Sequence, residues 1–163
     1  MQKTKQKSKK LYYDVKKCLG CKSCEIACAV AHSESKELFK ALKEKVLSMP
    51  RKKVYQSGDK NFPNSCRHCK EHPCVDACMA MALIYDKASG MVLHDEKRCV
   101  GCWMCVMVCP YGSIRPNLAS KIPLRCDKCK DQDEPACIAA CPTGAIIWME
   151  EDEETLHSSH KAE

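Results

Sequence analysis

The apolar positions of this chain fall in short runs, each long enough for a strand or a single helical turn. Leu11-Tyr-Tyr-Asp-Val15 reads as a strand. Ala82-Leu-Ile-Tyr85 and Met91-Val-Leu93 flank Asp86-Lys-Ala-Ser-Gly90, which predicts a hairpin closed by a glycine-containing loop. Gly144-Ala-Ile-Ile-Trp148 reads as a further strand. Cys105-Val-Met-Val-Cys109 and Cys137-Ile-Ala-Ala-Cys141 read as single helical turns. Residues 33–62 form a spacer in which Leu38, Leu42 and Val46, with Phe39 and Leu47 beside them, make an apolar stripe at helical spacing. Lys36, Lys40, Lys43 and Lys45 occupy the other faces and Pro50 ends the run. The spacer therefore predicts an amphipathic helix that covers the functional site, docks a partner subunit, or does both.

Between these elements lie sixteen cysteines in four blocks of four. Cys18, Cys21, Cys24 and Cys28 read C-x2-C-x2-C-x3-C, and Cys99, Cys102, Cys105 and Cys109 repeat that spacing. Cys66, Cys69, Cys74 and Cys78 read C-x2-C-x4-C-x3-C, and Cys126, Cys129, Cys137 and Cys141 read C-x2-C-x7-C-x3-C. The two tight blocks carry glycine just before their second cysteine, Gly20 and Gly101. The order tight, stretched, tight, stretched reads as an internal duplication with unequal spacers.

Three chemistries use cysteine in this number. A disulfide scaffold needs an oxidising compartment, but Met1–Lys10 is charged, has no apolar segment behind it and lacks a twin-arginine pair. A zinc-binding interaction module would use C-x2-C pairs across a long loop, whereas here a third cysteine follows the first pair and a fourth lies four residues on. The tight spacing matches the bacterial ferredoxin run for [4Fe–4S] cubanes. A cubane needs four thiolates at the corners of a tetrahedron. A curled C-x2-C-x2-C loop reaches three corners and turns backbone N–H groups toward the sulfurs. The sequence thus predicts four [4Fe–4S] clusters held by all sixteen cysteines.

Bulk properties fit that reading. The chain has 163 residues, enough for one domain or two intimately fused small ones, and only 6% aromatic residues, so an ordinary packed core would be thin. Clusters would replace much of that core and couple ligand binding to folding. The formal charge is +6, but each cubane with four thiolates contributes about −2, leaving the loaded chain near −2. The basic balance therefore does not point to nucleic acid. No apolar run approaches the ~20 residues of a membrane span, and a reducing cytoplasm is expected, with any membrane association made through a partner. Residues 1–10 read as a basic tail and 149–163 as an acidic tail, both solvated.

In two-cluster ferredoxins the fourth cysteine of a block ligates the other cluster. The second and third blocks are separated by twenty residues containing the predicted hairpin. They are expected to exchange ligands: Cys66, Cys69, Cys74 and Cys109 on one cluster, and Cys78, Cys99, Cys102 and Cys105 on the next. The first and fourth blocks then give Cys18, Cys21, Cys24 and Cys141, and Cys28, Cys126, Cys129 and Cys137. Spacing alone leaves open the other pairing, first with second and third with fourth.

His68 and His72 lie inside the second block but replace no cysteine, so they read as residues behind the ligands or at the surface. His32, His94, His157 and His160 have no partner in sequence and read as surface residues. Trp103 lies between two ligands of the third block, as a packing lid that limits solvent access. No nucleophile triad, phosphate-cradling glycine loop or dinucleotide motif is present, so an electron carrier without its own substrate site is expected.

Cys66-Arg-His-Cys69, Pro73-Cys74, Cys99-Val-Gly-Cys-Trp-Met-Cys-Val-Met-Val-Cys-Pro-Tyr-Gly112, Cys126-Asp-Lys-Cys129, Pro135-Ala-Cys137 and Cys141-Pro-Thr-Gly-Ala145 resemble the four-cluster ferredoxin-like electron-transfer subunits. That family serves molybdenum- and tungsten-containing oxidoreductases, hydrogenases and carbon monoxide dehydrogenase. Over residues 11–148 the resemblance implies an α+β fold of two fused ferredoxin-like units, one spanning 63–110 and the other combining 11–32 with 111–148. It also implies the crossed pairing of first with fourth and second with third block. The segment Cys24-Glu-Ile-Ala-Cys-Ala-Val-Ala-His32 is most similar to the iron–sulfur subunit of carbon monoxide dehydrogenase. That implies a nickel enzyme as electron donor and a hydrogenase or other acceptor. A formate dehydrogenase, hydrogenase or molybdopterin oxidoreductase is the alternative partner. Met79 departs from the family's usual proline and places only a local turn in question.

Overall fold

The computed structural model describes residues 9–150. Of the tails expected at 1–10 and 149–163, residues 1–8 and 151–163, with His157 and His160, lie outside the described residues, whereas residues 9–10 and 149–150 are not tail but paired strand ends. In chain order the elements are β1 (Lys9–Tyr13), α1 (Ser23–Ala31), α2 (Leu38–Ala41), β2 (Lys53–Ser57), β3 (Lys60–Asn64), α3 (Pro73–Asp76) and β4 (Leu83–Asp86). Then follow β5 (Met91–His94), α4 (Met104–Met107), β6 (Arg115–Asn117), β7 (Ile122–Leu124), α5 (Ala136–Ala139) and β8 (Ile146–Glu150). The fold is α+β.

The second half repeats the first without α2: strand, cysteine loop, helix, hairpin, short helix, strand. Strand pairing ties the two halves together. β1 lies antiparallel to β8 with Leu11 opposite Trp148, and β4 lies antiparallel to β5 with Leu83 opposite His94. The hairpins β2–β3 and β6–β7 form two further two-stranded sheets. The repeat extends to single turns. The Asp14 N–H donates to Ala145 O at 2.8 Å and the Asp95 N–H to Ala82 O at 2.8 Å. Each aspartate carboxylate then accepts the N–H two residues on, from Lys16 and Lys97, both at 3.0 Å, an Asx turn that starts each tight cysteine loop.

The hairpins close over those loops, and glycine makes the approach possible. At Gly101 (φ +68°) a Cβ would stand 2.5 Å from the Lys121 carbonyl oxygen in the β6–β7 turn. At Gly20 (φ +70°) it would stand 2.7 Å from the Asn61 side chain on β3. Only glycine meets both the left-handed backbone and the contact.

The apolar core is thin, in two small groups. Cys74, Leu83, Val92, Cys105 and Ile114 form one, and Cys24, Val54, Cys137 and Ile146 form the other. Cysteines sit in both, so whatever the cysteines hold is part of the core.

The 33–62 spacer differs from the expected amphipathic helix. It is helical only over Leu38–Ala41, and its stripe faces outward, with Phe39 and Val46 each 73% exposed. The second half of the spacer is drawn into the β2–β3 hairpin instead. There the Val54 side chain is buried, its N–H donates to the Glu25 carboxylate at 2.6 Å, and Tyr55 stacks on Phe62. Among the described residues no helix is long and apolar enough to cross a membrane.

Candidate functional site

The structure brings the cysteines together in four cavities. Cavity A is lined by Cys18, Cys21, Cys24 and Cys141. Cavity B is lined by Cys28, Cys126, Cys129 and Cys137. Cavity C is lined by Cys66, Cys69, Cys74 and Cys109, and cavity D by Cys78, Cys99, Cys102 and Cys105. Counting their mouths they hold about 310, 290, 330 and 350 Å³ of open space. Each takes three cysteines from one block and the fourth cysteine of another.

Local structure repeats from cavity to cavity. The third cysteine of every block is the second residue of a helix and is buried: Cys24, Cys74, Cys105 and Cys137. The fourth cysteine accepts a backbone N–H. Ala82 donates to Cys78 Sγ at 3.2 Å, Ser113 to Cys109 at 3.4 Å and Ala145 to Cys141 at 3.3 Å, each from four residues on. Cys28, inside the longer α1, accepts instead from Arg51 N–H at 3.3 Å. These bonds favour a thiolate and tune any metal it holds.

The four-residue turn requires a left-handed residue three past the cysteine. Gly112 (φ +54°) and Gly144 (φ +61°) supply it after Cys109 and Cys141, while after Cys78 the position is Met81 at φ +49°. The turn following Met79 nonetheless forms, with the Met81 N–H donating to Cys78 O at 2.9 Å. Loss of the usual proline therefore leaves the path unchanged.

All sixteen cysteines are free, and no disulfide scaffold exists. Four thiolates tetrahedral about one zinc at about 2.3 Å stand about 3.8 Å apart. Among the described residues no three cysteine sulfurs lie within 4.8 Å of one another. The sulfurs surround a space rather than converge on a point, which fits a polynuclear cluster and not a single ion. Burial pushes the thiols of Cys24, Cys74 and Cys105 up to about 11. The metal-free chain therefore holds neutral thiols there, and metal uptake releases their protons.

The cavities neighbour one another in the order A, B, C, D: Cys137 of B acts electrostatically on Cys24 of A, Cys66 of C on Cys126 of B, and Cys105 of D on Cys74 of C. Cys21 in A and Cys102 in D are the exposed cysteines. The succession is thus open at its two ends and covered in its middle. Trp103, half-buried, lines cavity D beside Cys102.

Of the histidines, His68 fits the reading of a residue behind the ligands, while His32 and His94 depart from the surface role expected of them. His68 is fully buried, 1% exposed, and its Nδ1 accepts the Val92 N–H at 3.0 Å. Burial pushes its pKa down to about 3, with Arg125 adding to the effect, so the ring is neutral. His32 is no lone surface residue. Its Nδ1 donates to Cys28 O at 2.7 Å and its Nε2 to Asp127 Oδ1 at 3.1 Å, while Arg51 bonds the other carboxylate oxygen. Burial disfavours the imidazolium, but Asp127 and Cys28 outweigh it and hold His32 up at about 10. His94 lines cavity D and its Nε2 is buried. The chain also buries three cations that sequence reasoning missed, Lys52, Arg125 and Lys128. Arg125 Nη1 lies 4.0 Å from Cys66 Sγ.

Fold and cavities together define an iron–sulfur protein of ferredoxin type. The chain matches the family profile "4Fe-4S dicluster domain" over residues 57–151 and "4Fe-4S binding domain" over residues 16–31. It is 35% identical to the electron transport protein HydN of Escherichia coli, with 91% of each chain covered. It is also 35% identical to an "Iron-sulfur protein" of Rhodospirillum rubrum, over 87% of this chain and 82% of that one. Among solved structures, the BamBC active site complex of benzoyl coenzyme A reductase with 1,5 dienoyl-CoA shares the fold at TM-score 0.52 and 21% identity. That match covers 91% of this chain and 79% of that one. The chain belongs to the 4Fe-4S dicluster domain family. It binds [4Fe–4S] clusters and is an electron-transfer protein rather than a catalytic subunit.

Proposed function

We propose that this chain is a four-cluster relay, with one [4Fe–4S] cluster in each of cavities A to D, that passes single electrons between a catalytic oxidoreductase and an acceptor. The observation that carries this reading is the succession of four cavities, each lined by four cysteines, exposed at Cys21 and Cys102 and covered between. Bound clusters supply reversible one-electron carriers. The chain's own residues do the rest. Buried third cysteines and backbone N–H groups on the fourth ones fix each cage, and the hairpin tips at Asn61 and Lys121 press on the two end loops.

The cages group as two ferredoxin-like units within residues 11–148. Cavities C and D belong to the unit of the second and third blocks, A and B to the unit of the first and fourth. Electrons enter and leave by the Cys21 and Cys102 ends, where exposed Leu19 and Val100 offer apolar contact to partners. No nucleic-acid partner is proposed. The working location is the cytoplasm, with any membrane contact made by a partner.

The donor proposed is a nickel carbon monoxide dehydrogenase and the acceptor a hydrogenase. The similarity of Cys24–His32 to that enzyme's iron–sulfur subunit supports this choice, since the segment includes both Cys28 of cavity B and the His32 that braces it. Anaerobic purification of the native complex tests it: carbon monoxide dehydrogenase should co-purify. Recovery of a formate dehydrogenase or another molybdopterin enzyme in its place would move the relay to that system.

A further inference from the structure

Lys52 is 3% exposed, yet its Nζ meets no oxygen or nitrogen acceptor and forms no ion pair with an acid among the described residues. An ammonium buried in this way is costly unless negative charge surrounds it. Its surroundings are cysteines from two cavities and one aromatic ring. Lys52 lines cavity B, it interacts with Cys137 of B and Cys24 of A, and its Nζ sits 5.0 Å from the centroid of Tyr13. Tyr13 in turn shares a hydrogen bond with Ser65. The one buried acid nearby, Glu25, is engaged by the Val54 N–H at 2.6 Å and lies 3.7 Å from Lys53 Nζ.

The internal repeat supplies a control. Val54 pairs with Pro63 in β2–β3 and Pro116 pairs with Pro123 in β6–β7. Pro63 lines cavity A and Pro123 lines cavity D. Two residues before Val54 and Pro116 stand Lys52 and Ile114, each 3% exposed. One repeat therefore buries a cation where the other buries a hydrocarbon of the same depth.

We propose that Lys52 is a fixed positive charge shared by the clusters of cavities A and B, raising the reduction potential of both, while the corresponding Ile114 gives cavities C and D no such help. The inference rests on the four-cluster reading. A cage of four thiolates around a cubane is net negative and becomes more so on reduction. A buried cation between two such cages stabilises the reduced state of each, and the low-dielectric surroundings make the effect large. Lys52 thereby favours electrons in cavities A and B, while Arg125, 4.0 Å from Cys66 Sγ, stands as a separate buried cation at cavity C.

The test is an anaerobic redox titration followed by electron paramagnetic resonance on wild type, Lys52→Ile (the repeat's own residue), Lys52→Gln and Lys52→Arg, each assayed first for iron and sulfide. Wild type lacking four irons and four sulfides per cavity would overturn the four-cluster reading before Lys52 is tested. In the loaded proteins, the neutral variants should lower the midpoint potential of two clusters and leave the other two in place, and Lys52→Arg should titrate as wild type. Unchanged potentials, or an equal fall in all four, would overturn the proposal. If both neutral variants fail to load while Lys52→Arg loads, the charge is needed to assemble the anionic cages and the proposal stands. If Lys52→Arg fails as well, the lysine serves packing and the proposal falls.

Discussion

The imidazole of His32 donates from Nε2 to Asp127 Oδ1 across 95 positions of sequence, at 3.1 Å. Asp127 lies between Cys126 and Cys129, and His32 one turn past Cys28, so this ion pair closes the junction of first and fourth blocks where cavity B forms. Arg51, which also gives its N–H to Cys28, completes the bracket. The side chains are only 13% and 23% exposed, so loss of one partner leaves a poorly solvated charge. His32→Ala is expected to cost about 1–3 kcal/mol. Faster release of about one cluster's iron under chelator challenge, with the remaining iron unaffected, is the expected result. Uniform loss from all cavities would separate His32 from cavity B.

Gly101 and Gly112 separate two demands on glycine. Both have positive φ, but a Cβ at Gly101 meets Lys121 O at 2.5 Å while at Gly112 it meets nothing within 4 Å. Gly112→Ala should cost only the left-handed backbone term, about 1 kcal/mol. Gly101→Ala must also displace the β6–β7 turn from cavity D and should lose more stability and more iron. Thermal melts and iron assays of the two variants compare them directly.

Met81 is the converse case. It holds φ +49° where the equivalent turns use Gly112 and Gly144, and its side chain is 67% exposed. Met81→Gly removes strain and little packing, and should stabilise the loaded protein by up to about 1 kcal/mol. A melting temperature at or below wild type would show that the turn after Cys78 is not strained.

The parts legible in the sequence were those where apolar pattern and cysteine spacing coincide. β1, β4, β5 and β8 fall on the predicted apolar runs, and α4 and α5 on the turns through Cys105 and Cys137. The hairpins β2–β3 and β6–β7 were hidden. Arg115-Pro-Asn117 and Ile122-Pro-Leu124 centre each short strand on a proline, which ordinarily argues against a strand, yet the two prolines face each other in the register. In the spacer, Leu38, Leu42 and Val46 kept helical period without a cap or a buried surface to sustain a helix. His32 was unreadable because its partner lies in the last block. Lys52 sits in Arg51-Lys52-Lys53, a run indistinguishable in sequence from a solvated one.

Metal content divides the cluster reading from a zinc module. The cysteine sulfurs stand too far apart for a mononuclear site, so anaerobically purified protein should be brown and contain iron and inorganic sulfide in equal amounts. Stripping the metal should unfold it, since its core includes Cys24, Cys74, Cys105 and Cys137. A colourless, folded protein containing zinc and no sulfide would favour the module.

The central claim is that each cluster takes its fourth ligand from a different block, and Cys28→Ser tests it most directly. Cys28 belongs by sequence with Cys18, Cys21 and Cys24 but lines cavity B with Cys126, Cys129 and Cys137. The difference resonance spectrum of reduced Cys28→Ser should therefore match that of Cys137→Ser. A match to Cys24→Ser instead, with the Cys126–Cys137 signal intact, would contradict the crossing.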